Sequence, residues 1–304
     1  MSQPPQESDP ASRPIHRPVL LREVIKSLDL QPGQTVVDGT VGAGGHSQQI
    51  LKQIGPTGRL IGLDRDPMML RLAAAAVSGH NCHLRHASYL QIPDLLEELK
   101  VAQVDAVLLD LGLSSDQLAD SDRGFGFDAG GPLDLRFDPT SGRPAWKLIN
   151  TLGEDELAQI LREYGEEMFS GPIASELVSR RATQPVHTAE DLVEAVRESV
   201  PRTFQHRARR HPATRVFQAL RIYVNNELGQ LQSALNDSIY RSLKSGGRAV
   251  VISFHSLEDK LIKEAFRDKQ RWENLTRRPV AASAVEKKVN PRARSAKLRA
   301  AKKL

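Results

Sequence analysis

The stretch Val36-Val37-Asp38-Gly39-Thr40-Val41-Gly42-Ala43-Gly44-Gly45-His46 constrains this chain more than any other. An apolar β-branched run leads into it, and an amphipathic run with Ile50, Leu51 and Ile54 follows. That pattern predicts a strand, a glycine turn and a helix start. Three glycines within the four residues 42–45 leave room for a ligand to lie on main chain, because no Cβ stands in the way. About twenty residues on, Arg59-Leu60-Ile61-Gly62-Leu63-Asp64 reads as a second strand ending in a carboxylate, where a ribose diol is gripped in nucleotide-binding α/β folds.

Three readings of the turn compete. A nicotinamide or flavin site would use Gly-x-Gly-x-x-Gly, but counting from Gly42 the third glycine position is Ser47. A glycine loop with no ligand is the structural alternative. The third reading takes account of Asp38, four residues before Gly42. Acid-x-x-x-Gly-x-Gly with a second acid closing the next strand resembles the S-adenosylmethionine (SAM) site of Rossmann-like methyltransferases. SAM has no pyrophosphate, so such a loop needs close backbone approach to the methionine part and an acid for the ribose.

The fourth strand strengthens the pattern. Val104-Asp105-Ala106-Val107-Leu108-Leu109-Asp110 reads as fully buried, and it too ends in an acid. In an open parallel sheet the ligand crevice lies at the carboxyl ends of the strands, where Asp38, Asp64 and Asp110 all fall. Tyr89 follows a short third strand over 80–86, at a place suited either to an adenine-contacting side chain or to an ordinary half-buried aromatic. Within that strand His80, Cys82, His83 and His86 alternate faces, and no second cluster has ligand spacing, so no metal is expected. Cys82 is the single cysteine, which rules out an internal disulfide and fits a reducing cytoplasm. No run of about 18 apolar residues occurs, so no membrane span is expected.

Around this sheet, helices are expected over 15–30, 67–76 and 93–99, and residues 1–15 read as a disordered tail. After Gln117 the alternation breaks. Residues 118–145 are loop-like, and from Trp146 to about Val200 only helical patterns appear, including a capping box at Thr188-Ala189-Glu190-Asp191. The expected organisation is an α/β, Rossmann-like sheet domain formed by 16–117 and 213–304. A helical insertion over 118–212 sits at the mouth of the crevice to recognise substrate. The sheet domain resumes near Ala213 with a helix to about Leu243, then a fifth strand over Arg248–Phe254. A helix follows with Ser256 as N-cap and Asp259 at N3. His255 sits at the crevice edge, in a structural or a catalytic role. The tail from Asn290 to Arg299 forms a last strand or lies on phosphates.

The net charge of +5 is a weak pointer to a polyanionic partner; its distribution says more. Residues 201–226 hold no acid but carry Arg202, Arg207, Arg209, Arg210, Arg215 and Arg221, and residues 287–304 hold eight Lys or Arg and no acid. Each run is either a solvated face or a nucleic-acid contact.

Together these segments closely resemble the bacterial ribosomal RNA small-subunit methyltransferase H family. The resemblance runs from His16-Arg17-Pro18 to the tail. It rests on Asp38-Gly39-Thr40 with Gly44-Gly45-His46-Ser47, Asp64-Arg65-Asp66-Pro67, Leu109-Asp110-Leu111-Gly112, and Arg123-Gly124-Phe125. It continues through Tyr164-Gly165-Glu166-Glu167, His211-Pro212-Ala213-Thr214-Arg215, Ser253-Phe254-His255-Ser256 and Asn290-Pro291-Arg292-Ala293-Arg294-Ser295. The resemblance implies SAM-dependent methylation of N4 of a cytosine at the decoding site of 16S rRNA, with the small ribosomal subunit as partner. It leaves a homodimer open. It places Gly44, Gly45, His46, Asp64, Asp110 and Gln117 on SAM-binding positions, with Tyr89 as a stacking contact. An acceptor at or near Asp110 would take a hydrogen bond from the target amine. Amino-methyltransferases acting on DNA carry an aromatic after the fourth strand, which Asp110-Leu111-Gly112-Leu113 lacks. Phe125, Phe127 and Trp146 are therefore candidates for stacking on the base, or for packing.

Overall fold

The structure, a computed structural model, describes residues 18–207 and 211–304. The expected tail over 1–15, and Arg209 and Arg210 of the first basic run, lie outside the described residues, as does the side chain of Arg207.

Eight strands build one sheet: β1 (Thr35–Asp38), β2 (Arg59–Asp64), β3 (Cys82–His86), β4 (Val104–Asp110), β5 (Leu243–Ser253), β6 (Trp272–Asn274), β7 (Val280–Ala281) and β8 (Lys297–Lys303). Their order is β3-β2-β1-β4-β5-β8-β6, with β7 also on β8. β1 to β5 run parallel, whereas β8 is antiparallel to β5, β6 and β7. The tail thus ends in a strand, one of its two expected fates. Register sets the crevice: Asp38 pairs with Gly62 and Leu108, so Asp64 and Asp110 each reach two residues beyond it. This is the Rossmann-like α/β sheet expected from the strand–turn–helix pattern.

The helices are α1 (Leu21–Leu28), α2 (Gly45–Ile54), α3 (Pro67–Ala76), α4 (Ile92–Glu98), α5 (Ser115–Ala119), α6 (Ala145–Thr151), α7 (Glu154–Gly165), α8 (Ser170–Arg181), α9 (Ala189–Ser199), α10 (Arg202–Arg207), α11 (Thr214–Asn225), α12 (Glu227–Ser233), α13 (Ile239–Ser242), α14 (Ser256–Ala265) and α15 (Ala284–Val289). Two-residue alternation divides the strands between two cores, as pleating requires. Val37, Ile61, Leu63, Val107, Leu109 and Val251 pack with α4, α12, α13 and α14. Val36, Leu60, Ala106, Leu108, Val250 and Ile252 pack with α1 and α2. α1 is shorter than the expected 15–30 helix, because Leu20 and Asp29 on either side adopt left-handed backbone. α9 starts with the expected box, in which the Thr188 hydroxyl accepts from the Asp191 N–H and Asp191 accepts from the Thr188 N–H.

A third core belongs to α6, α7, α8, α9 and α11. The continuous helix expected over 213–243 is broken at Asn226, whose φ is +49°. Ala213, Val216, Phe217, Ala219 and Leu220 of the first part are buried in the helical lobe; Leu231, Leu235 and Ile239 of the rest are buried against the sheet. The chain therefore returns to the sheet after α11, not near Ala213. Asn225, at the break, ties the two together. Its amide nitrogen donates to the Leu135 carbonyl at 2.7 Å, its amide oxygen accepts the Phe137 N–H at 2.7 Å, and its own carbonyl accepts from Arg65 at 2.9 Å. Among the described residues, no helix is long and apolar enough to cross a membrane.

Candidate active site

The carboxyl ends of β1, β2 and β4 open into one pocket, walled by main chain from Gly39 to Ala43 and by Asp64, Tyr89 and Asp110. Gly39 is required sterically: a Cβ there would stand 2.5 Å from Leu109 Cδ2 and 3.0 Å from Tyr89 Cβ. Gly42 adopts φ +54°, left-handed backbone that a side chain would strain. Its N–H donates to Asp64 Oδ2 at 2.8 Å, and the Asp66 N–H donates to Asp64 Oδ1 at 2.9 Å. Asp64 therefore shapes the loop and faces the pocket at once. Burial outweighs these two hydrogen bonds and pushes its carboxyl up to about 6.

Asp38 lies behind this wall. Its carboxylate accepts from Ser47 Oγ at 2.7 Å and the Thr40 N–H at 3.2 Å; burial raises its pKa. Thr40 in turn reaches the fourth strand, its hydroxyl accepting the Asp110 N–H at 2.6 Å. Asp110 Oδ1 accepts the Gly112 N–H at 3.3 Å, and Oδ2 lies 3.4 Å from His46 Nε2. His46 is buried on the pocket wall, and both its ring nitrogens lack a hydrogen-bond partner among the described residues. Buried polar atoms in that condition point to a ligand.

The predicted site residues divide by role. Gly45, His46, Asp64, Tyr89, Asp110 and Gln117 all line the pocket. Gly44 is set back: a Cβ there would meet Ala76 Cβ at 3.0 Å, so it lets α2 pack against α3. Gln117 is buried in a network of its own. Its amide oxygen accepts the Ser114 N–H, its main-chain N–H donates to Ser114 Oγ, and its Nε2 donates to Asp66 Oδ2 at 2.8 Å. Asp66 also caps α3 and pairs at 3.1 Å with Arg123, whose side chain is 7% exposed. Arg123 then holds the carbonyls of Arg136 and Phe137. Sequence reading saw only a helix start in Asp66-Pro67, because nothing local shows a partner 57 residues away.

Other wall residues went unforeseen. Phe137, Glu227, Leu231, Glu258 and Arg292 also line the pocket, and the charges of Asp110 and Asp116 act on the Arg292 guanidinium. The acid-free run around Arg292 was the available signal; the others carry none. Two expectations are corrected, and of two open alternatives for three aromatic residues the packing one is observed. The N-cap of α14 is His255, whose Nδ1 accepts the Glu258 N–H at 3.4 Å, while Glu258 Oε2 accepts the His255 N–H. Ser256 instead donates to Glu166 Oε2 at 2.6 Å, and Asp259 is held by Arg299 and Lys297. Arg221 is no surface cation: both its Nε and Nη2 bond to the buried Glu227 carboxylate. Phe125, Phe127 and Trp146 do not line the pocket; the first two stack on Phe137 and His211, and Trp146 lies tilted against His187, as lobe packing.

Glu227, His255 and Glu258 bring ligand-type atoms within 4.8 Å of one another. Arg221 already engages both Glu227 oxygens. His255 Nδ1 accepts the Glu258 N–H, and its buried Nε2 lies 3.1 Å from Glu258 Oε1 without a hydrogen bond among the described residues.

The sequence of the MraW methylase family, as a family profile, matches residues 13–304. The ribosomal RNA small subunit methyltransferase H of Trichlorobacter lovleyi is 44% identical, over 95% of this chain and 98% of that protein. The protein of the same name from Thermotoga neapolitana is 46% identical, over 94% and 95%. Among solved structures, a putative rRNA-methylase from Clostridium thermocellum matches 93% of this chain and 95% of its own, at 12% identity and a TM-score of 0.43.

Proposed function

This chain belongs to the MraW methylase family, and on that premise we propose that it methylates N4 of one cytidine in the decoding region of 16S rRNA. SAM is the cofactor, and supplies a methyl group made electrophilic by the adjacent sulfonium. The residues fit such a donor. Asp64 keeps lone pairs for ribose hydroxyls, the Gly39–Ala43 main chain admits close approach, and Tyr89 gives an apolar wall for an adenine. The observation that carries the reading is the pair His46–Asp110, a buried imidazole with unpartnered nitrogens 3.4 Å from a strand-end carboxylate on the donor pocket wall.

The exocyclic amine of cytosine is a poor nucleophile, since its lone pair is delocalised into the ring. Asp110 would accept a hydrogen bond from that amine, letting the lone pair localise on nitrogen, and would take the proton released as the nitrogen–carbon bond replaces the donor's methyl–sulfur bond, whose electron pair stays on the departing thioether. The main task is alignment of nitrogen and methyl carbon. The target base must be unstacked to enter.

The test is to incubate the protein with radiolabelled methyl-SAM and small ribosomal subunits lacking the modification, then digest the RNA and identify the labelled nucleoside. N4-methylated cytidine at one position is expected. Label on another atom or base, or SAM binding with no transfer, overturns the proposal.

A further inference from the structure

The two acid-free runs, 201–226 and 287–304, are far apart in sequence but meet in space. They form opposite walls of a groove of about 750 Å³ between the helical lobe and the end of the sheet, a volume within the usual range of ligand sites. One wall carries Phe204 and Arg215, the other Arg294 and Lys297. Many cations of these runs are already paired with groups of the fold. Arg221 binds Glu227, Arg299 binds Asp259, Lys302 pairs with Glu273, and Lys303 donates to the carbonyls of Tyr240 and Leu243. Those that face the groove differ. Arg215 spends one hydrogen bond on the Glu166 carbonyl, Lys297 leans on Asp259 at 3.3 Å, and Arg294 is exposed.

Two large apolar side chains stand in the same groove, Phe204 at 51% and Met168 at 74% exposure. Phe204 makes a T-shaped contact with Phe169 at 5.1 Å, and half of its surface stays open to the groove. The acids of the groove are engaged: Glu167 accepts the Phe169 N–H at 2.9 Å, and Glu166 accepts from Ser256. Phe254, which lines the groove, also backs the wall of the donor pocket. Phe254 packs so closely on Gly112 of the pocket wall that a Cβ there would lie 2.6 Å from its ring. The tail crosses the same partition, placing Arg292 in the pocket and Arg294 in the groove.

We propose that this groove holds the single-stranded RNA segment adjoining the target cytidine, with a base stacked on Phe204 and phosphates at Arg215 and Arg294. The inference rests on the RNA-methyltransferase reading above. An exposed aromatic beside guanidinium groups is the combination that binds single strands without reading their sequence. A second copy of this chain fits worse: a two-fold contact would set two grooves with basic walls face to face.

The experiment measures affinity for a short single-stranded RNA carrying the target cytidine, over a range of salt, for wild type, Phe204→Ala, Phe204→Trp and Arg294→Ala. Calorimetric SAM affinity of each variant reports an intact fold. Phe204→Ala should weaken RNA binding roughly 5- to 150-fold, the loss of one base stack, and Phe204→Trp should restore it. Arg294→Ala should reduce the slope of log affinity against log salt by about 0.7, one phosphate contact on a single strand. SAM affinity should not change. If wild type methylates small ribosomal subunits while all three variants bind the RNA with wild-type affinity and slope, the groove assignment falls and the RNA reading survives. If wild type methylates neither the subunits nor the RNA, the underlying reading falls. Should Phe204→Ala change only the sedimentation behaviour, the groove is an interface between copies and the proposal is wrong.

Discussion

In the pocket at the strand ends the groups that face inward are main chain and carboxylates already bonded to main chain; in the groove they are the ends of exposed side chains. Asp64 shows the first arrangement, holding Gly42 and Asp66 while it faces the pocket. Phe204 and Arg294 show the second, supported on one side and open on the other. A pocket of the first kind is preorganised, so a ligand finds its partners in place. Its residues also carry the fold, and a substitution there costs stability as well as binding. A groove of the second kind separates the two. Its residues can change with little effect on folding, and its affinity responds to salt.

The largest expected effect breaks the pocket from behind. Asp66→Ala leaves the Arg123 guanidinium, 7% exposed, without its carboxylate, and also removes the α3 cap. The expected loss is about 3–5 kcal/mol of stability, the cost of stranding a buried charge, read by denaturant unfolding. A loss no greater than that of a surface substitution would show that the pocket wall does not depend on this pair.

Next in size is Asp64→Ala, which removes a charged acceptor. SAM affinity should fall roughly 10- to 100-fold by calorimetry, in line with about 1.5–3 kcal/mol for a hydrogen bond to a charged group. RNA affinity should stay put, and a parallel fall would mean that the two sites are not separable. The pH dependence sharpens the same point. Burial raises the Asp64 pKa from 3.8 to about 6, so acidification through pH 6 protonates the acceptor and SAM affinity should decline. Asp64→Asn should flatten that decline. The sign for stability is opposite. A raised pKa means the folded chain binds this proton more tightly than the unfolded one, so the contribution of Asp64 to stability is full below its ordinary 3.8 and is lost as pH rises through 6.

The smallest effect concerns the partition itself. Ser256 joins α14 to the end of the helical lobe through Glu166, and Ser256→Ala should cost about 0.5–1 kcal/mol, the low end for a hydrogen bond at an exposed site. A much larger loss in thermal unfolding would show that the groove walls are coupled more tightly than their contacts suggest.

Much of the pocket was legible because its signals are local. A strand that ends in an acid, followed by glycines, is written in consecutive residues, and pleating and register then bring Asp64 and Asp110 to the same edge. The aromatic residues were not legible in this way. Phe125, Phe127 and Trp146 have the composition of a stacking platform, and the lobe buries or partners each of them. Phe204 carried no motif, yet it is the aromatic left facing outward.

By itself the sequence determined the parallel strands, the acids at their ends, the glycine turn between the first two, and the presence of a helical region after the fourth. Each follows from periodicity and backbone freedom over a few neighbouring residues. Only the tertiary structure decided which charges are buried. Arg221 lies in the same acid-free run as Arg215, yet one is sealed against Glu227 and the other opens on the groove. The difference is desolvation: a guanidinium goes inside only where a carboxylate waits for it, and where that carboxylate stands is fixed by how the lobe closes on the sheet.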